Sequence, residues 1–402
     1  MGKNKKQLKK PAIKGGKPTR KKFLPPFFPS IGKEEIKEVV DTLKSGWLTT
    51  GPKAHKFEEM AGEYLGCKNT IALSSCTAAL HLALVALGIE EGDEVITTPF
   101  TFVSTANVIL HCKAKPVFVD IDKNTYNIDP SKIEKAITKK TKAIMPVHYA
   151  GNPCQMGEIM KIAKKHNLAV IEDGAHAFGS EYKGRKIGNI GDFTAFSFYA
   201  AKNLTTAEGG MLCVKNKELA EKIRILSLHG MSKDAWKRYS GKGSWYYEVV
   251  LPGYKYNMPD ILASLGICQI KKINKFIAKK QKIAEIYQSN FSGIKELVLP
   301  KTEKENRHSW YLYPVLINSD KISRNDFIEA LKLENIGATV HFIPVHLHPY
   351  YKEKFGYKEG DFPNAEYIYK RIVSLPIHSA MTEKDAKDVV FAVKKIINYY
   401  SA

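Results

Sequence analysis

Lys202, Asp173 and Ser197 are the residues of this 402-residue chain whose types and spacing could do chemistry together. The stretch 170–211 reads VIEDGAHAFGSEYKGRKIGNIGDFTAFSFYAAKNLTTAEGGM. A β-like apolar run ends on Glu172 and Asp173, and a second, FTAFSFY, ends just before Lys202. A carboxylate and an amine are thus each delivered by the end of a predicted strand. Ser197 lies five residues before the lysine, and the glycines of GluGlyGly follow it. An amine for a Schiff base, an acid for a ring nitrogen and donors for a phosphate are what pyridoxal phosphate (PLP) chemistry requires. One lysine among 62 Lys and Arg residues is ordinarily a solvated surface charge. The argument for Lys202 therefore rests on its neighbours.

Those neighbours must be positioned by regular elements. Strands are predicted at 70–73, 94–98, 116–119, 143–147, 168–171, 193–198 and 210–214, with helices such as 77–87 and 157–166 between them. The alternation predicts an α/β fold: a large domain with a mostly parallel sheet covered by helices on both faces. A long helical stretch, 261–289, leads into a smaller C-terminal α+β region with strands near 311–317 and 339–343. The expected division is a basic tail (1–22), a large domain (23–260), and the connecting helix with a small domain (261–402). In 71–84 a strand, a turn of small polar residues and a helix follow one another, so Cys76, Thr77 and Ala78 are candidates to surround a phosphate. The GxxxxGK[ST] pattern of a nucleotide-binding P-loop is absent. Phe102, at the end of the next strand, could stack on a flat cofactor ring.

Composition bounds the remainder. Apolar content of 44% and charged content of 26% describe an ordinary globular protein, and no apolar run approaches a membrane span. Six scattered cysteines without CxxC, and histidines without HExxH, point to reduced thiols of a cytoplasmic protein and to no metal site. Of the formal charge of +21, ten units come from Lys and Arg in residues 1–22, which hold no acid; the rest of the chain carries a modest +11. The tail is expected to be disordered, either a solvated extension or a weak contact with an anionic surface.

Several ordered motifs, SGWLTTGP (45–52), SSCTAA (74–79), GDEVITTPFTFVSTAN (92–107), VHYAG (147–151), GYKYNMPD (253–260) and HFIPVH (341–346), accompany the central stretch. Together they resemble the DegT/StrS-type nucleotide-sugar aminotransferases, a PLP family of fold type I, the aspartate-aminotransferase-like class. The resemblance implies that Lys202 forms the internal aldimine and shuttles protons, that Asp173 pairs with the pyridine nitrogen, and that His176 faces the cofactor hydroxyl. It further implies that Ser197, Thr77 and Ala78 hold the phosphate and that Phe102 covers the ring. Lys255 and Asn257, within GYKYN, would reach the active site of a second subunit in a homodimer. His341 and His346 look like substrate-side histidines, and Lys233, Lys237 and Arg238 could meet a diphosphate. Because Lys202 is not the histidine of the related sugar 3-dehydratases, transamination is the implied reaction. The amino group would pass from L-glutamate, leaving 2-oxoglutarate, to a nucleotide-linked keto-sugar. The segment 229–240 looks closest to enzymes that aminate C4 of UDP-linked 4-keto sugars for lipid A or polysaccharide synthesis. Another keto-sugar (a C3-ketone, or a dTDP- or GDP-linked one) and a non-catalytic regulatory PLP protein are the alternatives.

Overall fold

The computed structural model describes residues 10–232 and 246–401. Nine strands lie in the first part of the chain. They are β1 (Thr70–Leu73), β2 (Glu94–Thr97), β3 (Lys115–Phe118), β4 (Thr141–Ile144), β5 (Ala169–Asp173), β6 (Glu181–Tyr182), β7 (Arg185–Lys186), β8 (Phe193–Ser197) and β9 (Gly210–Val214). Seven of them form one sheet in the order β1-β9-β8-β5-β4-β2-β3, and β6 pairs with β7 as a short hairpin. From β8 through β3 every pairing is parallel, whereas β9 runs antiparallel to both its neighbours. A parallel sheet is covered on both faces, so its strands are apolar almost throughout. Alternate residues divide between the two layers. Val170, Phe196 and Met211 pack with Phe57, Leu65 and Ile159 on one face. Ile171, Ala195 and Leu212 pack with Leu80, Leu84, Ile109 and Ile223 on the other.

The predicted helix 261–289 is two helices, Asp260–Ile270 and Ile273–Phe291. They part at Lys271 and Lys272, where the Lys272 ammonium turns onto Glu34 (2.7 Å) and Glu35 (2.9 Å) of helix Lys33–Ser45. A second, antiparallel sheet follows: β10 (Leu297–Val298), β11 (Tyr313–Ile317) and β12 (Ile372–Leu375). Helices Ile273–Phe291, Arg324–Leu333 and Glu383–Ser401 enclose its core through Tyr287, Phe327, Val389 and Ile396. The strand expected near 339–343 is instead irregular chain with a single bridge, Thr339 to Ser374. The pairing role next to β11 is taken by β12, which sequence reading did not find.

Residues 10–22, expected to be disordered, are tied down. The buried Glu334 carboxylate accepts hydrogen bonds from Ala12 N (2.7 Å), Thr19 N (2.7 Å) and Thr19 Oγ1 (2.6 Å), and pairs with Lys395 (2.9 Å). Arg20 bridges Asp385 (2.8 Å) and Asp388 (2.6 Å). Local composition could not reveal this, because the acids that bind the basic segment lie more than 300 residues away. Among the described residues no helix is long and apolar enough to cross a membrane, and all six cysteines are free thiols.

Candidate active site

The end of β5 presents two adjacent carboxylates to opposite sides of the sheet. Glu172 is buried, and its Oε1 accepts from Gly191 N (2.7 Å) and Thr194 Oγ1 (2.7 Å). Its Oε2 meets His148 Nε2 at 2.9 Å. The Cys154 amide donates to Nδ1 of that histidine (3.0 Å), so the ring proton sits on Nε2 and points at Glu172. Glu172 is thus a structural buttress. Asp173 faces the other way. Its Oδ2 accepts from Thr105 Oγ1 (2.8 Å) and its Oδ1 from Ala175 N (3.1 Å). Burial raises its proton affinity, against the pull of those two bonds and of Lys202.

Lys202 follows β8 in a closed loop. Phe198 N bonds Gly209 O (2.8 Å), Thr206 N bonds Phe198 O (2.9 Å) and Lys202 N bonds Tyr199 O (2.9 Å). The lysine Nζ stands 4.3 Å from the centre of the Tyr311 ring. Burial brings its pKa down to about 8, and Cys76 and Asp173 draw it back upward. Lys202, Asp173 and Cys76 are therefore within one another's electrostatic reach.

Tyr311 comes from the segment just ahead of β11, and a glycine lets it approach. Gly151 has φ +91°, and a Cβ there would lie 2.3 Å from Ser309 Oγ and 2.9 Å from the His176 carbonyl. Beside it, Ala150 N donates to His176 Nδ1 (3.3 Å), leaving the His176 proton on Nε2. The His176 ring centre lies 4.3 Å from that of Tyr311 and 5.8 Å, stacked, from Phe342. Burial, with Lys202 and His341 nearby, holds His176 well below its usual pKa, so the ring is neutral. His341 joins the same group: burial and Lys202 push it down to about 4, and its Nδ1 lies 2.9 Å from Ser374 Oγ.

A helix start completes the arrangement. Helix Cys76–Ala86 begins at the end of β1, with Ser75 as N-cap accepting from Ala78 N (3.1 Å). The Ala78 amide is therefore engaged within the cap, while the first-turn amides of Cys76 and Thr77 have no partner inside the helix. Gly210 of β9 pairs in register with Ser197 and with Leu73. A Cβ on Gly210 would stand 2.3 Å from the Ser75 carbonyl carbon and 2.5 Å from Cys76 N. Strand and helix start touch, and Ser197 is carried to the same end. Phe102 is 58% exposed at the rim, 6.0 Å from Phe342.

Other expected residues lie elsewhere. His346 is buried, bonded to Glu366 (3.0 Å) and packed on Phe362, in the part of the aromatic core that also holds Phe118 and Tyr357, and among the described residues none of its contacts is with Lys202. Lys255 is exposed and bridges Leu228. Asn257 bonds Thr50 Oγ1 (2.5 Å) and bridges Leu73. Lys233, Lys237 and Arg238 fall outside the described residues. Conversely, Thr105, Ser75, Tyr311 and Gly210 were not anticipated. Ser75 was legible as an N-cap preceding a helix; Tyr311 left no local signal.

An amine of lowered proton affinity, a buried carboxylate and a helix start with free amides stand together here. The three match the aldehyde carbon, ring nitrogen and phosphate of PLP, so the residues present fit that group.

Comparison with known proteins follows the same line. The profile of the DegT/DnrJ/EryC1/StrS aminotransferase family matches residues 29–394. An uncharacterized protein of Methanocaldococcus jannaschii is 62% identical over 381 residues, covering 94% of this chain and 99% of its own. The spore coat polysaccharide biosynthesis protein SpsC of Bacillus subtilis is 55% identical over 381 residues, covering 94% and 98%. Among solved structures, Spr1654 of Streptococcus pneumoniae, described as a sugar aminotransferase and solved with PLP, superposes with a TM-score of 0.88 at 35% identity, covering 94% and 99%. PseC of Helicobacter pylori, an aminotransferase of pseudoaminic acid biosynthesis, gives 0.87 at 32% identity, covering 94% and 100%.

Proposed function

The chain belongs to the DegT/DnrJ/EryC1/StrS aminotransferase family, and we propose that it moves the amino group of L-glutamate onto a UDP-linked 4-keto sugar destined for polysaccharide. It is a PLP-dependent sugar aminotransferase of fold type I. The observation that carries the assignment is the convergence of Lys202, Asp173 and the start of helix Cys76–Ala86 at the ends of three strands. The name of SpsC supports a polysaccharide destination.

When bound, PLP supplies an electron sink that stabilises negative charge at the substrate carbon. The protein's residues do the rest. Lys202 Nζ, partly neutral near pH 8, would serve as the covalent anchor and as the group that takes and returns the substrate proton. Asp173 would keep the pyridine nitrogen protonated, its carboxylate oriented by Thr105. The Cys76 and Thr77 amides, with Ser197, would bind the phosphate. His176, with its proton on Nε2, would meet the ring hydroxyl, and His341 would serve the sugar side. Phe102 would cover the ring. Lys255 stands exposed beside Leu228, where in a homodimer GYKYN would serve the second subunit.

The test is an assay of the PLP-loaded enzyme with L-glutamate and a panel of UDP-, dTDP- and GDP-linked 3- and 4-keto sugars, reading 2-oxoglutarate. Fastest turnover is expected with a UDP-4-keto sugar. Turnover confined to a 3-keto or differently linked sugar would replace this substrate assignment.

A further inference from the structure

Beneath Lys202 lies a second buried amine. Lys280, on helix Ile273–Phe291, is only 3% exposed. Its Nζ donates to Asn203 Oδ1 at 2.7 Å, and Asn203 Nδ2 donates to Ser309 O at 3.1 Å. Asn203 directly follows Lys202, so Lys280 secures the lysine loop to the segment that carries Tyr311. Both amines also address the same ring, Lys202 at 4.3 Å and Lys280 at 5.8 Å from its centre.

We propose that Lys280 is a positioning residue for Lys202: through Asn203 and Ser309 it anchors the Lys202 loop against the segment that carries Tyr311. This deepens the reading of Lys202 given above and rests on it.

Buried ammonium groups are ordinarily paired with a carboxylate. Lys280 has the neutral Asn203 amide instead, and among the described residues only burial and Lys202 shift it, bringing it down to about 7. From the loop following β12, His378 faces the same space; burial and Lys280 push that ring down to about 4. Tyr311 is held as the un-ionised phenol by burial. On the Lys202 side stand Asp173 and Cys76, with the neutral rings of His176 and His341. A second positive charge in such a space disfavours the first, so the two amines titrate as a coupled pair. The sign follows: a lysine of lowered pKa is ammonium below that value and a free amine above it. Lys280, the lower of the two, gives up its proton first, and Lys202 titrates beside a Lys280 that is already mostly neutral.

Trace acetylation of the PLP-free chain with acetic anhydride over a pH series, read by mass spectrometry of the Lys202 peptide, measures this without catalysis. The wild-type midpoint should lie near 8. Lys280→Met, which removes the donor to Asn203, should raise the labelling rate of Lys202 about threefold or more by loosening its loop, and Lys280→Arg, which keeps a donor, should restore the wild-type rate. An unchanged rate in a folded Lys280→Met protein overturns the proposal. Should that substitution impair folding, Asn203→Ala, which removes the acceptor and leaves Lys280 in place, decides by the same readout, and an unchanged Lys202 rate there also overturns it. PLP attachment to Lys202, trapped with borohydride, is scored separately. Its failure would sink the assigned chemistry of Lys202, whereas the labelling rates judge the anchoring itself.

Discussion

Asp173 shows how one side chain can be both held and poised. Two hydrogen bonds, from Thr105 and Ala175, would lower its proton affinity, yet burial outweighs them and raises it. A cationic ring nitrogen relieves that cost, because a charge-assisted bond to a buried carboxylate is worth more than a neutral one. Asp173→Asn retains the shape and loses the charge. It should cut kcat by about a hundredfold or more, with PLP still attaching to Lys202. Steady-state kinetics beside borohydride trapping would check this, and near-normal kcat would remove Asp173 from its role. The neighbouring Glu172 was equally prominent in the sequence. Strand alternation sends it to the opposite face, where His148, Gly191 and Thr194 consume its oxygens.

At the scale of elements, the site depends on how closely β9 approaches helix Cys76–Ala86. Gly210 is the point of contact, and a methyl group there meets backbone atoms of Ser75 and Cys76 that cannot swing aside. Gly210→Ala should move the helix start away from Ser197. The expected result is about tenfold or greater weakening of PLP affinity, with about 1–3 kcal/mol of stability lost. Equilibrium dialysis and urea unfolding measure the two effects, and unaltered affinity would show that the close contact does not shape the phosphate site. The strands flanking this point were readable as short apolar runs. Their order in the sheet, with β9 antiparallel between β1 and β8, was not, since nothing local distinguishes a parallel from an antiparallel neighbour.

Across the whole molecule, the first described residues strap the helices Arg324–Leu333 and Glu383–Ser401. Buried Glu334 gathers three donors from the strap and the Lys395 ammonium. Breaking a buried pair costs more than an exposed one, because the surviving charge stays out of water. Glu334→Gln should therefore lower unfolding stability by about 3 kcal/mol in urea titration while leaving PLP attachment to Lys202 intact. An unshifted denaturation midpoint would mean that the strap contributes nothing. By itself the sequence determined the alternating α/β architecture and the motifs that bear Asp173, Ser197 and Lys202. Those signals are contiguous: apolar runs, strand-end polar residues and glycine turns all act within a few positions. Only the tertiary structure decided that Tyr311 and Lys280 lie against Lys202, that His346 belongs to a core cluster, and that residues 10–22 are anchored. Each of these depends on groups far apart in the chain, brought together by packing and by burial of charge, for which local spacing carries no mark.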